Sequence, residues 1–352
     1  MNKKEASSSP KPYLLKPLDD APPSPEQYAR FYALAKRVFD EAPWAYLEEC
    51  QVVAVERNAE ETDFISVMGA LGSHFAIAVY PSLVCLDWFM TLDRLPQSEA
   101  SDLFFELPQC QLVFESKPQL FPGEKETIAA SGIRFKNGKW PSAQAFVPGY
   151  YPWKAGAQGI ENLCAALEQL LAVLDDNAEI PFAQDIHGPF LTRFQKDGAW
   201  HTDMRKHGPK VSKQAIAIPQ DLISAVRALP KRVMCMEIDC FPMMMQVGKK
   251  GERAVCPRQL MMTDRASHFA FPSDIITPEE GKTWAFATAI PSMLRQFVKL
   301  GFRPATAAFA REITAGWGNS LCELLDIRFD DQPCDALLEC RTEMEQFLSR
   351  RS

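Results

Sequence analysis

The sequence predicts an α+β protein of two domains, an N-terminal antiparallel-sheet α+β domain followed by a C-terminal α/β domain. Three observations carry this expectation. Gln51–Glu56, Phe64–Met68 and His74–Tyr80 are short and rich in Val, Ile and Phe, with turn signals at Asn58 and Gly69–Gly72, so they read as antiparallel strands. After Lys231 the elements run βββαβαβα. At 352 residues the chain is also too long for one small core.

Composition narrows the class further. Apolar residues make up 47% and charged residues 24%, which is globular usage and excludes a largely disordered or collagen-like chain. A net charge of −7 gives no basic footprint for phosphate neutralisation, so duplex nucleic acid is a disfavoured partner. Arg205-Lys206-His207 with Lys210 and Lys213 is a local basic cluster that reads as a solvated loop. Ten cysteines are scattered from Cys50 to Cys340 without C-x-x-C spacing, which favours free buried thiols over a disulfide framework or a zinc finger. No apolar core follows Met1, and no run approaches the roughly 18 apolar residues of a membrane span, so no membrane partner and a cytoplasmic location are expected.

Residues 1–23 carry Ser7-Ser8-Ser9-Pro10 and Ala21-Pro22-Pro23 and read as a disordered tail. In the N-terminal domain, residues 24–180, Ser24 reads as a helix cap with Pro25 at the first position. Tyr28, Phe31, Leu34, Ala35 and Val38 then recur at helical spacing. Leu83–Leu92 reads as a helix and Gln111–Glu115 as another strand. The aromatic, proline-rich stretch Trp140–Trp153 reads as a rigid loop leading into the helix Ile160–Leu174. Tyr150 and Trp153 would be ligand-binding walls of a groove there, because rigid aromatics bind at low entropic cost. Residues 181–230 read as a connector holding a hairpin around Lys196-Asp197-Gly198 and a short helix, Pro219–Leu229.

In the C-terminal domain, residues 231–352, Val233–Cys240 and Met243–Val247 flank Pro242, where the strand bulges or turns. Gln259–Thr263 and His268–Pro272 read as a hairpin. Thr277-Pro278-Glu279-Glu280 is a capping box that starts a helix, and Pro291 kinks it or opens a second segment. Ala305–Ala310 and Ile327–Phe329 read as strands, and Glu312–Leu325 and Cys334–Leu348 as helices. Gly316 and Gly318 weaken the first of these helices.

Trp44-x-Tyr-Leu, Ser66-Val-Met-Gly69 and Pro148-Gly-Tyr-x-Pro-Trp153 resemble an uncharacterised bacterial family, a domain of unknown function covering about residues 25–180. The part from about residue 230, with Phe302-Arg303-Pro304 before a strand, resembles a second such domain that accompanies it. The resemblance implies domain organisation and no activity. The order βββαβαβα resembles a ribonuclease-H-like core.

Two-metal phosphoryl hydrolysis on such a core needs three or four converging carboxylates. Asp239, Glu312, Asp330 and Asp331 are the catalytic candidates, while Asp264 reads as a turn residue. A metal constellation could instead form from Asp185, His187, His201 and Asp203, with His207 nearby, since alternation puts His201 and Asp203 on one strand face. Nucleophile elbows, phosphate loops and dinucleotide fingerprints are missing, and no cofactor is expected. The reading favoured by the sequence is a binding or adaptor module for an unknown protein or small-molecule partner. Its contact surface would be Tyr150, Trp153 and the cleft between the domains. The alternative is a divergent metal-dependent hydrolase or nuclease.

Overall fold

A computed structural model describes residues 21–135, 138–208, 218–243, 245–272, 274–278 and 286–350, and these fall in two compact units. One lies within 17–211 together with 249–253, the other within 212–248 and 254–352. Most of the expected tail, Lys210 and Lys213 of the basic cluster, Met244, and Glu279-Glu280 of the capping box lie outside the described residues.

The first unit opens with α1 (Pro25–Glu41). Ser24 Oγ accepts the Gln27 N–H at 3.2 Å while Gln27 Oε1 accepts the Ser24 N–H at 2.9 Å, so the cap is reciprocal. Strands β1 (Val53–Glu56), β2 (Thr62–Met68) and β3 (Ala76–Tyr80) follow, then α2 (Leu83–Thr91), α3 (Gln97–Glu106) and β4 (Gln109–Glu115). The unit continues with α4 (Glu124–Ala130), β5 (Trp140–Phe146), β6 (Trp153–Lys154), α5 (Ala157–Asp175), β7 (Pro189–Lys196) and β8 (Ala199–Lys206). The eight strands form one sheet in the order β6-β5-β4-β3-β2-β1-β7-β8, antiparallel except for the parallel pair β1–β7.

Side-chain alternation along these strands feeds two cores. Val53, Val55, Ile65, Val67, Ile77 and Val79 pack with α1 and α5 on one face. Ala54, Phe64, Met68, Ala76, Ala78 and Tyr80 pack with α2 on the other.

Two sequence expectations change here. The stretch from Trp140, read as a loop, contains β5 and β6, because Pro141 sits second in β5 opposite Phe114. There β6 reaches only Gln144 and Ala145, so the missing N–H meets no demand on the outer side. The hairpin placed in a connector joins the N-terminal sheet through β1–β7. Its two-residue loop, Asp197 and Gly198 at φ 54° and 79°, is the left-handed pair that suits strand twist.

The second unit comprises α6 (Gln220–Ala228), β9 (Lys231–Pro242), β10 (Arg258–Asp264), β11 (Ile275–Ile276), α7 (Phe286–Leu300), β12 (Arg303–Phe309), α8 (Glu312–Leu325), β13 (Arg328–Asp330) and α9 (Asp335–Ser349). The order βββαβαβα is present. The strands lie β11-β10-β9-β12-β13, antiparallel on the β10 and β11 side and parallel on the other. Of the two alternatives at Pro242, β9 ends there with no bulge in its pairing with β10. The third strand is Ile275–Ile276, while residues near Ala270 make only an isolated bridge to Thr263.

One sheet face carries Met236, Ile238, Cys240, Leu260 and Ala307 against α6, α7 and α8. The other, with Phe241, Met261 and Ala308, lies under Leu337 of α9. The molecule is thus an α+β protein of two mixed sheets. No described helix is long and apolar enough to cross a membrane, and all ten cysteines are free thiols.

Candidate functional site

The face of β9 beneath α9 holds the two buried carboxylates of the second unit among the described residues. Cys235, Glu237, Asp239 and Phe241 alternate onto it, so two carboxylates point into a space where water cannot solvate them. Both are essentially fully buried. Each has a guanidinium partner from a neighbouring element.

Asp239 pairs with Arg311, the residue between β12 and α8. Arg311 Nε lies 2.9 Å from Asp239 Oδ1 and 3.0 Å from Oδ2, and its Nη2 donates to the Cys240 carbonyl. Arg258 donates to the same carbonyl at 2.8 Å. Glu237 pairs with Arg265 at 2.7 Å, and its second oxygen accepts the Leu337 N–H at 2.8 Å. Cys334, at the cap position of α9, makes no side-chain cap, so the strand carboxylate satisfies a first-turn donor and lies at the positive end of the helix.

Arg265 spans further. It donates to Asp330 Oδ2 at 2.7 Å and to the carbonyls of Gln332 and Pro333 at 3.4 and 3.2 Å, tying the β13–α9 loop to β9. For Asp330, burial pushes the carboxyl up, but the Gln332 N–H and the Arg265 guanidinium outweigh it and hold the group below its ordinary range. Burial pushes the neighbouring Cys235 thiol up to about 11, which keeps it protonated and poorly nucleophilic.

The three catalytic candidates whose side chains are described share no guanidinium partner. Asp239 and Asp330 bind different arginines, and Asp331 is exposed and accepts from the Gln332 side chain at 3.1 Å. Glu312 begins α8, but its side chain lies outside the described residues. A two-metal centre requires carboxylates left to the cations; here guanidinium groups already neutralise Asp239, Glu237 and Asp330. Sequence reasoning missed Glu237, Arg265 and Arg311. The signal was present in two acids spaced by two within an apolar strand, since buried carboxylates demand buried cations.

The hairpin candidates also do not gather. Asp185 accepts the N–H groups of His187 and Gly188 in a turn, at 2.7 and 3.0 Å, and both Asp185 and His187 are exposed. His201 stacks on Phe194 with centroids 5.6 Å apart, and Asp203 accepts the Met204 N–H at 2.8 Å. No group of three or more His, Cys, Asp or Glu suited to a metal occurs among the described residues. His207 differs from the others. It lies against Phe64 and Phe190 and shares a 2.9 Å hydrogen bond with Thr192, and burial lowers its pKa below the ordinary histidine value.

Trp153 and Tyr150 are separated by their surroundings. Trp153 packs on Phe121 at 5.1 Å and, with Tyr28, Lys154 and the 21–23 segment, walls a concavity of about 240 Å³. Tyr150 is half-buried, its N–H bonded to the Val147 carbonyl at 3.0 Å, and it does not line that concavity. Behind the Tyr28 side, Glu124 is buried, accepting from Ser142 Oγ and from the Phe121 N–H at 2.8 Å each. Burial pushes its carboxyl up to about 7 against those hydrogen bonds. Nothing local in the sequence marked Glu124, because its partners come from β5 and the preceding loop.

No curated protein and no solved structure matches the chain, so the ribonuclease-H-like reading has no support beyond element order. Residues 28–193 match the family described as Domain of unknown function (DUF7309), and residues 222–345 match Domain of unknown function (DUF6930). The chain is covered by these two domains of unknown function, one after the other, and neither carries a known activity.

Proposed function

We propose that this protein works by binding and not by catalysis. The observation that carries the reading is the neutralisation of Asp239, Glu237 and Asp330 by Arg311 and Arg265, which commits the polar face of β9 to holding α9 and the β13–α9 loop. The Trp153 concavity is the contact site in this reading. Its aromatic walls suit a planar or apolar group, and Lys154 and Arg253, two cations against the one carboxylate of Glu252, favour a nearby anion. A small molecule or an acidic peptide carrying such a group is the partner class. Ten free thiols fit a reducing compartment, which supports a cytoplasmic location.

The test is a thermal-shift screen of small acidic aromatic compounds and acidic peptides, with Trp153→Ala as control. Saturation at about 100 times Kd raises stability by roughly 2.7 kcal/mol, a readily measured shift. A hit lost in Trp153→Ala is expected. Turnover of a phosphodiester or ester substrate that disappears in Asp239→Asn would overturn the reading.

A further inference from the structure

Strand β8 ends the eight-stranded sheet, and among the described residues no strand pairs with its outer edge. His201, Thr202, Asp203 and Met204 are exposed in succession, so both faces of the strand are open as well as its edge. Its eight residues pair with β7 in one unbroken register without proline or bulge. Edges of this length are ordinarily blunted by such devices, since a row of open N–H and C=O groups templates another strand.

We propose that β8 pairs antiparallel with β8 of a second copy of this chain, about a two-fold axis through Thr202. The register follows from the hairpin. A two-residue loop closes with Lys196 opposite Ala199, the hydrogen-bonded pair nearest the turn. Alternation then turns the main-chain groups of His201, Asp203 and Arg205 toward β7, and those of Trp200, Thr202, Met204 and Lys206 outward.

Symmetry limits the remaining choices. Opposed pairs alternate between bonded and non-bonded types, so a two-fold axis must pass through a residue facing itself. Centring on Asp203 would set carboxylate against carboxylate and His201 against Arg205. Centring on Met204 would use Arg205, which is already bound to Glu56 at 2.9 Å and lies over Phe194. Centring on Thr202 sets His201 opposite Asp203 and Trp200 opposite Met204, with Ala199–Arg205 overlapped. The non-bonded pair His201–Asp203 brings its side chains closest, where an imidazole–carboxylate hydrogen bond contributes most, and the bonded pair Trp200–Met204 adds apolar surface.

Three bonded pairs, Trp200 with Met204 twice and Thr202 with itself, give about six inter-copy hydrogen bonds. One is an exchange: the Met204 N–H now donates to the Asp203 carboxylate at 2.8 Å. On pairing it turns to the Trp200 carbonyl of the other copy, and Asp203 is released toward His201. The association is therefore concentration-dependent.

Sedimentation equilibrium of the full chain tests this. The wild type dimerises, and Thr202→Pro raises Kd by at least about tenfold. The Thr202 N–H serves no bond to β7, so proline there removes no ladder bond within the hairpin and only the Thr202 Oγ1 that accepts from Arg193 at 2.8 Å. Thr202→Val, which loses that acceptor and keeps the N–H, is the control and should still dimerise, with circular dichroism and melting compared for both. His201→Glu opposes two carboxylates and dissociates the dimer; adding Asp203→Lys restores it. A chain that stays monomeric at all attainable concentrations, a dimer indifferent to Thr202→Pro, or failure of the double variant to recover would overturn the proposal.

Discussion

Replacing Asp239 by leucine separates a structural carboxylate from a catalytic one. Leucine keeps the branched outline and removes the charge, taking from the buried Arg311 guanidinium its Asp239 carboxylate while the Cys240 carbonyl remains an acceptor. Breaking a buried pair from one side costs about 3–5 kcal/mol, because the remaining charge loses its counter-ion in a site that water does not reach. For a domain of this size that is a fall on the order of 10–20 °C in midpoint. Arg311→Met leaves Asp239 with the Cys240 N–H at 2.8 Å as its remaining named partner and should cost a similar amount.

The double variant is the decisive member. With both charges gone, the Cys240 carbonyl still accepts from Arg258 at 2.8 Å, so no polar atom named here is stranded and stability returns to within about 1–2 kcal/mol of the parent. Calorimetry on the parent and the three variants gives all three values and hence the coupling. A catalytic carboxylate behaves oppositely, since removing it from a functional site commonly stabilises the fold. Asp239→Leu at or above wild-type stability, or a double variant as damaged as the sum of the singles, would refute the structural role.

The two glycines of α8 should respond in opposite directions. Gly316 faces open space, so Gly316→Ala gains roughly 1 kcal/mol of helix propensity, read as a higher midpoint. At Gly318 a Cβ would stand 2.5–2.7 Å from ring atoms of Phe309, and the overpacking cost of about 1–3 kcal/mol outweighs that gain; a stabilised Gly318→Ala would sink this reasoning. Glu124, whose folded carboxyl lies at about 7, holds its proton across a window where the unfolded chain has lost it. Stability of the first unit should therefore fall as pH rises from about 4.5 to 7, and Glu124→Gln should flatten that slope in urea titrations at stepped pH. Asp330 works the other way. Its lowered carboxyl supports the fold at neutral pH, and that support is lost as pH falls through the folded value, so Asp330→Asn should reduce the acid sensitivity of the second unit.

Much of the fold was local enough to read from residue types. Ser24-Pro25 starts α1, Asp197-Gly198 turns the hairpin, and the βββαβαβα order follows from short β-branched runs alternating with helical periodicity. Where signals conflicted, contacts distant in sequence decided. Trp140–Phe146 is proline-bearing and aromatic, yet it is a strand because β4 offers seven consecutive partners. The hairpin at residue 197 could be read, but its place could not, since β7 adds in parallel to β1 more than 130 residues earlier.

The chemistry divides along the same line. Sequence alone determined that Asp239 lies on a strand and that no phosphate loop or nucleophile elbow exists. It could not tell a metal carboxylate from one half of an ion pair, because Arg311 reaches Asp239 across 72 positions and Arg265 reaches Glu237 across 28. A carboxylate's role depends on which charge shares its low-dielectric surroundings, and only the packed sheet, with α9 laid over it, sets that neighbour.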